Sequence, residues 1–341
     1  MATTSSTPQP SPSGVATSQA VEEQRTPISL GRESGGILVL LIFIAVLILT
    51  TSEFLTLTNL DNLVRQVAVF AILSVGQLFV ILTGGIDLSV GSVLGLSGGL
   101  TALLLSIGVS IPLAILVGLL VGLAVGLING LLVTRIGLPP FIATLGMLGA
   151  MRGLVLLLTG AKTIAPLPDA FNIIANGYFL GLPSLFWILI LVAVIAAFVL
   201  GRTVFGRYVY AVGSNAESAR LSGVPVNWVL LAVYSISGLL AGFAGVLTTS
   251  RLGAGIPTAG TGYELQAIAG AVIGGASLSG AKGRAIGAVL GALIMGMLNN
   301  GGNLLGIDPF YLQIAIGLLI ILAVYFDNLQ GKSFKFMHRA G

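Results

Sequence analysis

Ten apolar runs, each bounded by polar or charged residues, fill nearly all of the chain beyond residue 35. They fall at roughly 36–51, 64–83, 88–107, 111–134, 141–159, 184–200, 227–249, 264–280, 286–305 and 311–326. The runs are continuous rather than alternating, which is the signature of helices and not of the strands of a membrane barrel. At a rise of ~1.5 Å per residue, about 20 residues cross a ~30 Å hydrocarbon core. Backbone amides in lipid must be paired within the protein, and a helix does this within each segment. The pattern therefore predicts an all-α integral membrane fold with about ten transmembrane helices over 36–328. Several runs are short, so broken or re-entrant helices are expected among them. The clearest stop lies between Thr83 and Ser92, where glycines and polar residues interrupt the hydrocarbon.

Two segments lie outside the membrane domain. Residues 1–35 are rich in Ser, Thr and Pro and gather charge at Glu22, Glu23, Arg25, Arg32 and Glu33. Such a segment buries too little apolar area to offset its ordering entropy, and it is expected to be a disordered cytoplasmic tail. It lacks the basic start and early apolar stretch of a signal peptide. Residues 329–341 are expected to form a short cytoplasmic C-terminal tail.

Basic residues set the orientation. With the first tail inside and ten crossings, the cytoplasmic side holds Arg25, Arg32, Arg135, Arg202, Arg207, Arg220, Lys282, Arg284, Lys332, Lys335 and Arg339. The outside receives Arg65, Lys162 and Arg251, the last in an external loop, and Arg152 stays within the membrane. Both termini are thus expected in the cytoplasm of a bacterial inner membrane. Ten crossings divide into five and five, and an odd set inverts its successor, which is the arrangement of a 5+5 inverted repeat.

Composition narrows the chemistry. The chain is 56% apolar and 8% charged, with a mean hydropathy of +1.07, far outside soluble usage. It has no cysteine, and its one histidine, His338, lies in the charged tail. Thiolate chemistry and a histidine metal centre in the membrane are excluded, and no metal site is expected. The net charge of +4 is spread along loops and suits topology, not nucleic acid. Glycine numbers 48 and forms ridges, with Gly118, Gly122, Gly126 and Gly130 in one helix and Gly91, Gly95 and Gly99 in another. A spacing of four aligns them on one face, where they serve close packing or allow sliding.

Three constellations stand out. In Gly84, Gly85, Ile86, Asp87, Leu88 and Ser89, paired glycines break a helix and Asp87 or Ser89 caps the next; the same element could line or gate a pathway. In the loop 201–227, Asn215–Gly223 reads as a short helix. Asn215 caps it, Glu217 sits in its first turn, Arg220 lies near its end, and Gly223 with Pro225 stops it. The third is Pro257–Leu265, containing Glu264, followed by Ile273–Gly283. Gly275–Lys282 lacks the spacing of a phosphate-binding loop, so no catalytic site and no nucleotide site is expected here. Further polar candidates within the helices are Gln77, Arg152, Asn299, Asn300 and Asn303. They either glue helices together or line a path; Arg152 is costly unless paired, and Asp87 is one candidate partner.

These segments resemble, in order and spacing, those of the ribose-type permease subunits of bacterial ABC sugar importers. The resemblance extends over nearly the whole chain after the tail. It is most specific at Gly84–Ser92, Gly206–Gly223, Pro257–Gly283 and Leu298–Gly306. It implies a homodimer without ATPase activity, powered by a separate ATP-binding ABC subunit that holds ATP and Mg. It also implies a periplasmic or lipid-anchored sugar-binding protein as partner, besides membrane lipid. By the same resemblance Ala216, Glu217, Ser218, Ala219, Arg220, Leu221, Ser222 and Gly223 form the coupling helix that docks on the ATPase. Gln266 and Gly270 depart from the family pattern, where Asp and Ala are expected. The implied function is import of ribose or a related monosaccharide, with another pentose, a hexose or a signalling furanose as alternatives. A stand-alone ion-coupled transporter would need intramembrane carboxylates that are missing apart from Asp87. An intramembrane hydrolase would need a nucleophile and base that are not there.

Overall fold

The structure, a computed structural model, describes residues 33–337. The tail expected over residues 1–35 therefore lies almost wholly outside the described residues. Thirteen helices and one two-stranded hairpin follow in order among them. They are α1 (Glu33–Thr50), α2 (Leu57–Leu82), α3 (Val90–Ser106), α4 (Ile111–Thr134), α5 (Pro140–Thr159) and α6 (Asp169–Asn176). After β1 (Tyr178–Phe179) and β2 (Leu182–Pro183) come α7 (Ser184–Arg202), α8 (Val204–Ser214), α9 (Ala216–Leu221), α10 (Val226–Leu252), α11 (Tyr263–Ile273), α12 (Ala285–Leu304) and α13 (Pro309–Met337). Six of these, α2, α4, α5, α7, α10 and α12, are long and apolar enough to cross a membrane. Shorter apolar helices lie at Leu40–Thr50, Val90–Ser106, Tyr263–Ile273 and Pro309–Leu322. The fold is an all-α membrane architecture.

α2 is the centre. Every residue from Val67 to Leu82 is buried, as expected of a helix apolar on all sides. α10 packs along α2, α3 and α4, and α11 and α12 close the other flank of α2. Glycine makes the α4–α10 contact possible. A Cβ on Gly122 would stand 2.7 Å from Gly242 Cα and 2.9 Å from Gly242 N, and one on Gly238 would meet Gly126 Cα at 2.7 Å. The ridge read in the sequence is therefore a backbone-to-backbone seam, while Gly91 and Gly95 face the 257–264 segment and Gly99 faces Val155. Around this centre, α4, α5, α7 and α13 turn exposed Leu, Ile, Val and Phe outward, a surface suited to hydrocarbon.

The structure corrects some boundaries. The apolar run 264–280 is not one helix: α11 stops at Ile273, and Gly274 to Arg284 form a turn in which Gly275, Gly280 and Gly283 take positive φ. Left-handed backbone at these positions ends a helix that hydropathy alone would extend. α2 begins at Leu57, capped by Thr56 accepting from Asn59 N, because the cap and not the onset of hydrophobicity sets its start. Arg251 lies in the last turn of α10 and is partly buried, not in an external loop.

Candidate functional site

The stop between Thr83 and Ser89 is where the most buried polar groups meet. Gly84 turns the chain at φ +80°, and Gly85 passes so near Tyr234 that a Cβ there would lie 2.5 Å from the phenol oxygen. Asp87 is fully buried. Its Oδ1 accepts from Ser89 N at 2.9 Å and Ser89 Oγ at 2.6 Å, and its Oδ2 accepts from Ser237 Oγ at 2.8 Å. The Gln77 amide, turned to suit, donates to the Asp87 carbonyl at 3.0 Å and accepts from the Asp87 N–H at 3.1 Å. Asn129 Nδ2 donates to Ser89 Oγ at 2.9 Å, and Thr144 Oγ1 to the Ile86 carbonyl at 3.2 Å. Ser89 and Ser237 thus fill the carboxylate, Gln77 the Asp87 backbone, and Asn129 and Thr144 hold Ser89 and the Ile86 carbonyl on either side. Asp87 accepts from Ser89, the residue before α3, but neither side chain hydrogen-bonds the first amides of that helix, so the side-chain cap expected from the sequence is not formed. A carboxyl group in this position is tolerated only because its acceptor sites are filled.

Arg152, on the inward side of α5, is paired, but not with Asp87 as the sequence suggested. Its Nη1 donates to the carbonyls of Pro257 at 3.0 Å and Ala259 at 2.9 Å. It fastens the link between α10 and α11, which passes over Gly91 and Gly95 of α3: a Cβ on Gly95 would stand 2.8 Å from the Ala259 carbonyl and 3.1 Å from Arg152 Nη1. Glu264, in the first turn of α11, accepts from Gly262 N at 3.3 Å through Oε1, while its buried Oε2 has no partner. α3, α5 and the 257–264 link therefore form a second polar junction beside the first two turns of α3.

The asparagines of α12 divide. Asn300 and Asn59 exchange amide hydrogen bonds of 2.7 and 3.2 Å in a buried pair that joins α12 to α2. Asn299 donates to Gln266 Oε1 at 3.2 Å and to the Met295 carbonyl at 2.8 Å. Asn303 is exposed. Gln266 receives Asn299, and a Cβ at Gly270 would stand 2.5 Å from Ser74 Oγ and 3.2 Å from Ala292 N.

At the opposite end from Arg152, α9 is a single exposed turn. Asn215 Oδ1 accepts from Ser218 N at 2.8 Å, Glu217 pairs with Arg220 at 3.3 Å, and Gly223 at φ +84° ends it. Only Ala219 is buried, while Leu221 is 82% exposed. The preceding α8 crosses the end of α2 at Gly213, where a Cβ would meet the Leu82 carbonyl and stand 2.7 Å from Ala281 N. Ala281 N itself donates to the Leu82 carbonyl at 2.9 Å, and Tyr210 Oη to Gly283 O at 2.8 Å. α9 is thus connected through α8 to the last turn of α2, next to the Asp87 break.

Against known families, residues 59–324 match the branched-chain amino acid transport system / permease component model. The chain belongs to this permease family. Among its relatives, the ribose import permease protein RbsC of Escherichia coli (strain K12) is 43% identical over 300 residues, 87% of this chain and 94% of that protein. RbsC of Bacillus subtilis (strain 168) is 45% identical over 295 residues, 86% and 91% of the two chains. The D-allose transport system permease protein AlsC of E. coli (strain K12) is 42% identical over 285 residues, 83% and 87%. No solved structure matches the chain.

Within this permease, Gly84, Gly85, Asp87 and Ser89 come together at one junction, and Arg152 and Glu264 border another. Asn299 and Asn300 serve α12, and the 216–223 segment stands apart on an exposed loop. Ser237, Asn129 and Thr144 were missed by sequence reading. Single hydroxyls and amides in apolar helices are common, and only their convergence on Asp87 and the neighbouring Ile86–Ser89 stretch gives them weight.

Proposed function

We propose that this permease is the membrane subunit of an ABC importer that moves ribose or a related monosaccharide across the bacterial inner membrane. It works as a homodimer, takes sugar from a periplasmic or lipid-anchored binding protein, and is driven by a separate ATPase that binds ATP and Mg. The chain itself transports and does not catalyse. The ribose, allose and xylose permeases among its relatives support the sugar class.

In this reading all ten apolar helices cross, with both termini cytoplasmic. The six long and four shorter helices support that count. A 5+5 inverted repeat is supported by a correspondence of parts. α2, with 26 residues, is followed by a glycine-containing break and the short α3; α10, with 27, is followed by a glycine-containing link and the short α11.

The observation that carries the coupling assignment is α9. A one-turn helix needs a cap at each end to persist, and this one has both while leaving Glu217, Arg220 and Leu221 exposed. It is built for a partner, and through α8 it touches the end of α2. ATP-driven closure of the ATPase dimer would displace α9 and α8, move the inner end of α2 with the break, and open the path between two permease chains to one side. A chain working this way needs no tight sugar site of its own.

Exchanging the two charges, Glu217→Arg with Arg220→Glu, preserves the ion pair within α9 but inverts what a partner meets; Leu221→Asp removes the exposed apolar tip. These exposed changes should alter stability by no more than ~0.5 kcal/mol. Loss of two or three interface contacts of about 1–2 kcal/mol each should weaken ATPase association by roughly ten- to a thousandfold. Co-purification and uptake into proteoliposomes measure both. Normal association and uptake in the altered permease, or ATP-dependent uptake by the permease alone, would remove the assignment.

A further inference from the structure

The ends of α2 and α10 remote from α9, together with the α6–β1 segment, line an open cavity of about 620 Å³ that none of the assignments above uses. Its polar lining comes from three stretches distant in sequence: Asp61 and Arg65 of α2, Asn176 at the end of α6 with Tyr178 of β1, and Arg251 in the last turn of α10. These groups hold one another. The Tyr178 hydroxyl donates to the Asp61 carboxylate. The Arg65 guanidinium donates to the Ala175 carbonyl at 2.6 Å and lies over the Tyr178 ring, 5.0 Å from its centroid. Asn176 donates to the carbonyls of Ser250 and Arg251 at 3.2 and 3.1 Å. Arg251 Nε is buried without a partner.

The set mixes a carboxylate that accepts, guanidiniums that donate, an amide that does both, and an aromatic ring that is 60% exposed. Ring hydroxyls of a monosaccharide require donors and acceptors alternating over a few ångströms, and the C–H face of the sugar requires an aromatic surface. An apolar ligand would leave the buried Arg251 Nε without a partner. Asp61 against Arg65 and Arg251 leaves the lining one net positive charge, so a small anion is the competing occupant that the test must separate from a sugar. The volume falls in the range of small-molecule sites.

We propose that this cavity is an outer subsite for a neutral monosaccharide, occupied between release from the binding protein and entry to the pathway. The proposal rests on the importer reading and on its orientation, which places these helix ends outside. A site on a transport path must release its ligand readily, so binding should be weak, with Kd about 1–10 mM.

The test uses the permease–ATPase complex in nanodiscs without binding protein, with D-ribose as probe and ligand-observed saturation-transfer NMR as readout. Saturable transfer to the ribose protons is expected in that range, and inorganic phosphate should not displace it. Arg251→Met and Asp61→Asn should each weaken binding about tenfold, the effect of losing a hydrogen bond to a charged group. Tyr178→Phe, which keeps the ring and loses the hydroxyl that orients Asp61, should weaken it severalfold with unchanged melting. This last variant decides the matter where either of the others fails to fold. Absence of saturable transfer, displacement by phosphate, or unchanged binding in the folded variants would overturn the subsite. Uptake by the parent complex with its binding protein separates the two readings: normal uptake without saturation transfer removes the subsite alone, whereas no sugar uptake removes the importer reading as well.

Discussion

The α4–α10 seam permits a quantitative test, because its contacts are between backbones and no rotamer change can relieve them. Alanine at Gly122 would place Cβ against the Gly238 carbonyl and 2.7 Å from Gly242 Cα; alanine at Gly238 would place it against the Gly122 carbonyl and 2.7 Å from both Gly126 Cα and N. Carbon atoms sit comfortably at about 3.5–4.0 Å, so each substitution demands that the helices part by roughly 0.8 Å or more. Overpacking of this kind costs about 1–3 kcal/mol, and in lipid it falls on the van der Waals packing that holds helices together. Both substitutions require the same parting of the same two helices. Once it has been made for one, the other is largely accommodated, so the double variant should cost clearly less than the sum, with a coupling of at least about 0.5 kcal/mol. Gly149→Ala on α5 is the control: nothing lies within 4 Å of its Cβ, and alanine is the better helix former by up to ~1 kcal/mol. Thermal and denaturant unfolding in detergent, followed by far-ultraviolet circular dichroism, measures all four proteins. If Gly122→Ala unfolds like Gly149→Ala, or if the double variant costs the full sum, the seam is not held by backbone contact as described.

Arg152→Met should destabilise the permease by about 3 kcal/mol and lower uptake, since it strands the Pro257 and Ala259 carbonyls and frees the α10–α11 link; parent-like melting and uptake would refute that role. In this cysteine-free chain, Thr258→Cys should react with an impermeant thiol reagent from outside and Ser222→Cys only after the membrane is opened. External labelling of Ser222→Cys would overturn the orientation.

What the sequence disclosed, and what it did not, follows from how far apart the interacting groups lie. α9 was legible because its signals are local: Asn215 as cap, the order of Glu217 and Arg220, and Gly223 with Pro225 at the end all lie within eleven residues. The Gly118–Gly130 ridge was legible because helical periodicity aligns it, although its partner face on α10 was not. Arg152 was recognised as needing a partner, yet that partner is a pair of backbone carbonyls 105 and 107 residues away, which carry no side-chain signature. The outer cavity was invisible for the same reason: Asp61, Tyr178 and Arg251 each look like an ordinary loop-end residue until the fold unites them. The early stop of α11 was missed because Gly274 and Gly275 raise no polar flag, and hydropathy does not register a positive φ.

The position of Asp87 bears on where movement can occur. Its carboxylate and peptide are held by Gln77 of α2, Ser237 of α10 and Ser89, and Ser89 is held in turn by Asn129 of α4. Separating these elements would leave a carboxyl group and several other polar groups unpaired in an apolar surround, at a cost of several kcal/mol. The break is therefore a rigid joint, and α2, α4 and α10 should move with it as one body. Contact with α8 has the opposite character. Gly213 lets the α8 backbone rest on the Leu82 carbonyl with no side chain between, so a displacement of α8 cannot be absorbed by a rotamer change and must shift the end of α2 itself. In the proposed mechanism, then, the stroke delivered at α9 reaches the rigid joint through backbone contact. Motion is left to the surfaces where hydrogen bonds are few: the apolar faces of α7 and α13.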